Sequence, residues 1–152
     1  MLNDILKDDH ARIAISLNNF SDGLKTGRVD TAGFLTAEKE LKNHIFWEEE
    51  VLFPAVRNGE TEGLIKRLEG DHGGIWNLLT AISSLIKDNR LEECYKRTTA
   101  LINVLLLHDK TEEETIYLTF ESLPDKKKRQ LILSELDKVS VPESWTCKIL
   151  RK

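Results

Sequence analysis

Apolar residues along most of this chain recur every three or four positions, and no useful length of it alternates polar with apolar. The first spacing places apolar side chains on one face of a helix, whereas a half-buried strand needs the second. Leu6, His10, Ile13, Leu17, Phe20 and Leu24 form one stripe. Phe34, Ala37, Leu41, His44, Glu48, Val51 and Ala55 form another. Ile65, Leu68, His72, Ile75, Leu79, Ile82 and Ile86 make a third, and Leu101, Leu105, His108, Glu112 and Ile116 a fourth. Glycine and proline gather between the stripes, in "KTGRVD" (25–30), "PAVRNGETEG" (54–63) and "ESLPDK" (121–126), with a further break at "KDNRLEE" (87–93). Four helices with short connections predict an all-α fold, an up-down-up-down four-helix bundle. An extra short C-terminal helix is expected from about Asp125 to Lys138. The chain then divides into a bundle over 1–120 and a C-terminal extension, 121–152, packing on it.

Composition narrows the function classes. Hydrophobic residues make up 40% and charged residues 32%, as in a soluble globular protein. A net charge of −4 with both signs mixed gives no reason to expect nucleic acid. No apolar run approaches the roughly 20 residues of a membrane span. "MLNDILKDDH" lacks the basic and apolar regions of a secretory signal. Cys94 and Cys147, with no CxxC, read as reduced thiols. A cytoplasmic location is the expectation.

All four histidines fall on inward stripes. A stripe occupies about three positions in seven, so four independent placements would coincide in only about 3% of chains. Height along the bundle adds to this. Residues equidistant from the turn of an antiparallel hairpin lie at one level. The midpoint of His10 and His44 is Gly27, that of His44 and His72 is Asn58, and that of His72 and His108 is Arg90. All three midpoints fall in expected loops, so one histidine from each helix reaches a common level.

Carboxylates join them. In "HIFWEEEVLFP" (44–54) Glu48 follows His44 by one helical turn and shares its face, while Glu49 and Glu50 are expected to face solvent or a neighbouring helix edge. "HDKTEEETIYL" (108–118) repeats the pattern with His108 and Glu112, and "DDHARI" is echoed by "GDHGGIW". The chain reads as two copies of one hairpin. Asp9 and Asp71, each just before a histidine, fall off the stripes and suit an outer-shell, capping or solvent role. Four imidazoles and two carboxylates suit first-row transition metals better than calcium or magnesium. Six ligands in two similar halves point to two ions sharing carboxylates. Two iron ions are the first choice, with zinc or manganese as alternatives. The expected ligands are His10, His44, Glu48, His72, His108 and Glu112.

These motifs resemble the hemerythrin family, in particular bacterial hemerythrin-like (HHE cation-binding) domains, over residues 1 to about 120. The resemblance implies a carboxylate-bridged non-haem di-iron site that binds, senses or reacts with oxygen, nitric oxide or peroxide; an iron-binding regulatory or buffering role is the alternative. Two positions depart from the oxygen carriers of that family. Trp76 stands where they have a further histidine, as core filler or as the wall of a ligand pocket. Their spacing would also select Glu113 as the second bridging carboxylate, whereas the internal repeat selects Glu112. Gly73 and Gly74, costly in a helix interior, leave room for close helix approach or a small ligand. Trp145, in "VPESW", offers a surface for a protein partner.

Overall fold

Helix α1 (Leu2–Lys25) opens the chain in the structure, a computed structural model that describes residues 2–136 and 138–151. A turn at Gly27, which takes the left-handed φ of 79° that glycine tolerates, reverses the chain into α2 (Thr31–Trp47). Asp30 caps α2 by accepting from Gly33 N at 3.0 Å. A π-helical turn (Glu48–Leu52) and α3 (Phe53–Val56) extend α2. Asn58 Oδ1 then accepts from Glu60 N at 2.8 Å and Thr61 N at 3.0 Å, closing the turn into α4 (Glu62–Lys87). Asn89, at φ 54°, turns the chain into α5 (Leu91–Glu114), and α6 (Ile116–Glu121) continues it after a break at Thr115. The reversals fall beside the midpoints between successive histidines. The described residues contain no strand, and the fold is an all-α bundle. Among them no helix is long and apolar enough to cross a membrane.

The π-helical turn accounts for three departures from the expected pattern. Phe53 N–H reaches back to Glu48 O, five residues away, so the turn holds one residue more than an α-helical turn. Side chains beyond it rotate by one position. Val51 and Ala55, the expected inward residues, are only half-buried, while Leu52, Phe53 and Val56 are buried. Residues 54–56, expected as the start of a loop, remain helical. The same rotation turns Glu49 inward; it is buried and does not face solvent.

Two apolar clusters fill the bundle, and the histidines lie between them. One contains Ile13, Leu41, Ile45, Ile75 and Leu105; the other contains Leu6, Trp47, Leu68 and Ile116. Each of the four helices therefore passes from one cluster to the other at its histidine: Leu6–His10–Ile13, Leu41–His44–Trp47, Leu68–His72–Ile75 and Leu105–His108–Ile116. The sequence has placed the histidine layer between two apolar clusters.

Helix α7 (Lys126–Leu136) lies where the fifth helix is expected; Asp137, included in that expectation, is outside the described residues. Ile132 of α7 joins the second apolar cluster. The chain then returns along α2 and α4. Val141 N donates to Asn43 Oδ1 at 3.2 Å, and Trp145 packs edge-on against Phe46 and Trp76, with ring centroids 5.0 and 5.6 Å away. Trp76 is thus buried under the C-terminal segment, with Lys42 Nζ 4.7 Å from its ring centroid.

Candidate metal centre

The six expected residues come together. Glu48, His72, His108 and Glu112 bring one ligand atom each within 4.8 Å of one another, and so do His10, His44 and Glu112. All six are buried, Glu48, His72 and Glu112 completely. The imidazoles pair within each sequence half: the His10 and His44 rings are 4.8 Å apart, those of His72 and His108 4.9 Å. The carboxylates lie between the pairs. Glu48 reaches His44 Nε2 at 3.3 Å through one oxygen and His72 Nε2 at 3.1 Å through the other. Glu112 Oε1 is 3.3 Å from His108 Nε2 and 3.6 Å from His10 Nε2. Each carboxylate therefore touches both halves.

The histidines are aimed by a second ring of acids. His10 Nδ1 donates to Glu113 Oε2 at 2.8 Å, His72 Nδ1 to Glu49 Oε2 at 2.6 Å, and His108 Nδ1 to Asp71 Oδ2 at 3.0 Å. His44 Nδ1 faces Asp9 Oδ2 at 3.8 Å, too long for a hydrogen bond. A carboxylate accepts at Nδ1, which commits the ring proton to the outside and leaves Nε2 as the inward, electron-donating atom. The partners follow the internal repeat. Glu49 and Glu113 are equivalent positions of the two halves, as are Asp9 and Asp71. Glu112 therefore occupies the inward position and Glu113 the outer one.

Inward lone pairs and carboxylates at such distances repel unless positive charge lies among them. The protein alone supplies it with protons. Burial opposes charge on His44, but the acids around it, Glu48 foremost with Asp9 and Glu112, together outweigh it and hold the His44 pKa well above the usual imidazole value. Burial and the charge on His44 lower His10 to about 3, so His10 is neutral and accepts from His44 across 3.1 Å. His72 is raised against the effect of its burial by hydrogen bonds to Glu48 and Glu49. Burial would raise Glu48, yet its histidine partners keep it far below the usual carboxylate value, while burial and the Glu48 charge push Glu112 far above it. Glu112 Oε2 and His44 Nδ1 are buried without hydrogen-bond partners. Basic Nε2 atoms, shared carboxylates and the unpartnered buried Glu112 Oε2 are what a transition-metal cation would satisfy, so this residue set fits such an ion.

Tyr117 belongs to the cluster and the helical stripe does not select it. Its hydroxyl donates to Glu48 Oε2 at 2.9 Å and lies 3.1 Å from His10 Nε2, 3.2 Å from His44 Nε2 and 3.3 Å from Glu112 Oε1. The break at Thr115 (φ −131°, ψ −79°) resets the helical phase, so that Ile116 and Tyr117 are both buried. The internal repeat does carry a signal, because Tyr117 aligns with Phe53. Phe53 stacks on His72 and Tyr117 on His10, both with centroids 5.7 Å apart. Asp109 is a second omission. Its Oδ1 is 3.5 Å from His10 Nε2, and burial lifts its carboxyl to about 7. A cleft of about 580 Å³ between α1 and α5 opens beside it, with Ile13, Ala14, Leu17, Ile102, Leu105 and Leu106 as walls and His10, Asp109 and Glu113 at its edge.

An all-helical bundle carrying a buried layer of four imidazoles and two shared carboxylates defines a class of cation-binding bundle proteins. The hemerythrin HHE cation binding domain matches residues 1–119, and the chain belongs to that family. No curated protein and no solved structure matches it. Membership in the family implies that the chain binds metal, typically iron.

Proposed function

We propose that this protein holds two iron ions and uses them to bind, sense or react with a small ligand: oxygen, nitric oxide or peroxide. His10 and His44 would hold one ion and His72 and His108 the other, with Glu48 and Glu112 shared. The observation that carries the reading is the division of labour at the imidazoles, in which outer carboxylates take Nδ1 while Nε2 faces a volume shared with two buried carboxylates. Iron bound there would supply redox-active coordination of the small ligand.

The chain's own residues would prepare that chemistry. Glu49, Glu113 and Asp71 hold the rings in one orientation, which keeps donor atoms from swinging away. The apolar clusters on either side would shield the layer from water along the bundle axis. Apolar walls make the α1–α5 cleft suitable for a small uncharged ligand arriving beside His10, where Asp109 and Tyr117 offer hydroxyl-type hydrogen bonds. No further histidine stands near Trp76, which supports redox, sensing or iron-handling chemistry over simple oxygen carriage. Metal analysis and optical spectra of anaerobically purified protein, before and after exposure to air, test the proposal. Two irons per chain and an air-dependent spectrum are expected. Recovery of no metal after reconstitution with ferrous iron would overturn it, and two irons with no spectral response to any of the three ligands would favour iron buffering.

A further inference from the structure

We propose that the C-terminal segment 141–151 is a positioning element of the metal cluster, joined to it through Glu49. Glu49 is held at both oxygens. Oε2 accepts from His72 Nδ1 at 2.6 Å, and Oε1 accepts from the backbone N–H of Lys148 at 2.8 Å. A carboxylate held at one end can swing about its side-chain torsions; one held at both fixes the ring it touches. The tail's backbone therefore sets the orientation of His72.

Several independent contacts seat the tail for this task. Trp145 Nε1 donates to Glu50 Oε1 at 2.9 Å, and Arg151 Nη2 to the same oxygen at 2.8 Å. The Trp145 ring rests on Phe46 and Trp76, and Cys147 is fully buried. Gly73, next to His72, is the seat of Ile149: a Cβ on Gly73 would overlap Ile149 Cγ2. The room that glycine leaves in α4 is thus taken by the tail and not by a small ligand. The three consecutive glutamates acquire distinct tasks, with Glu48 facing the cluster, Glu49 joining His72 to the tail, and Glu50 anchoring the tail's indole and guanidinium. The arrangement is one-sided. Glu113, which occupies the position of Glu49 in the other half, is bonded to His10 alone among the described hydrogen bonds.

Two consequences follow from linkage. Releasing the tail weakens metal at the His72–His108 position and not at His10–His44, by the 10- to 100-fold typical of losing an outer-shell partner. Reciprocally, metal binding holds the tail down by the same factor. This inference rests on the metal-binding reading above.

Two full-length variants test it without touching a ligand. Trp145→Ala removes the tail's aromatic anchor. Gly73→Ala improves intrinsic helix propensity while displacing Ile149, so loss of the bundle does not explain its effect. Each protein is titrated anaerobically with ferrous iron against a competing chelator, and hydrogen exchange of the tail amides is followed with and without iron. The expected result is two ions in the parent, one of them weakened 10- to 100-fold in both variants, with iron slowing exchange at Lys148 in the parent. A parent that binds two ions, together with variants whose tails exchange freely but whose two affinities stay within twofold of the parent's, would overturn the inference and leave the metal reading intact. A parent that binds no iron would overturn both.

Discussion

Tyr117→Phe removes one oxygen from the centre of the polar layer and leaves the ring in place. In the protein without metal, that oxygen donates to Glu48 Oε2 at 2.9 Å, and Glu48 is fully buried. A hydrogen bond to a charged group contributes about 1.5–3 kcal/mol, and a buried acceptor that loses its donor keeps its desolvation cost. The void left behind is no larger than a hydroxyl, so the packing loss is small by comparison. A loss of about 2 kcal/mol is expected, which for a chain of this length lowers Tm by roughly 4–8 °C. With metal bound, cationic charge would satisfy Glu48, and the loss should fall to less than half. Thermal unfolding followed by circular dichroism, on chelator-treated and metal-loaded protein, measures both. An unchanged or higher Tm for the chelated variant would refute the reasoning, since it would mean that the hydroxyl contributes nothing to holding the Glu48 charge. An equal loss in both states would show that Glu48 does not meet the metal.

Other expectations follow from the same geometry. Loading the parent with iron at a thousand times its dissociation constant adds about 4 kcal/mol, so Tm should rise by roughly 8–16 °C in a melting curve taken against the chelated protein. Glu112→Ala should remove at least one ion by metal analysis, whereas Glu113→Ala should keep two and weaken the His10 side by about 10- to 100-fold; the reverse order would make Glu113 the shared carboxylate. Among the three glutamates, Glu48→Ala should cost the most metal and Glu49→Ala an intermediate amount in chelator competition. Glu50→Ala should act only as far as it releases the tail, and equal losses at all three would contradict the distinct orientations of their side chains.

The helical repeat determined most of the polar layer in advance. A 3.6-residue period fixes which side of each helix faces the interior, and equal distances from the turns fix height, so His10, His44, His72 and His108 could be placed at one level from local information. Glu48 and Glu112 followed from one further turn of helix. What local periodicity cannot carry is a change of phase. The π-helical turn at Glu48–Leu52 and the break at Thr115 each shift the following residues around the helix, and the repeat of apolar residues on either side looks continuous through them. Only packing reveals the shift, because burial of Leu52 and Phe53 in one half and of Ile116 and Tyr117 in the other offsets the irregular backbone. That is why periodicity alone directs Glu49 to solvent or a neighbouring helix edge, without naming His72 as its partner, and does not select Tyr117. Asp71 was legible as an outer-shell acid from its place before His72, but the outer role of Glu113 and the part of the tail lay further from reach, since Glu113 meets His10 and Lys148 meets Glu49 across about a hundred residues of sequence. Such pairings are chosen by how helices and tail stack in three dimensions, and no spacing along the chain encodes them.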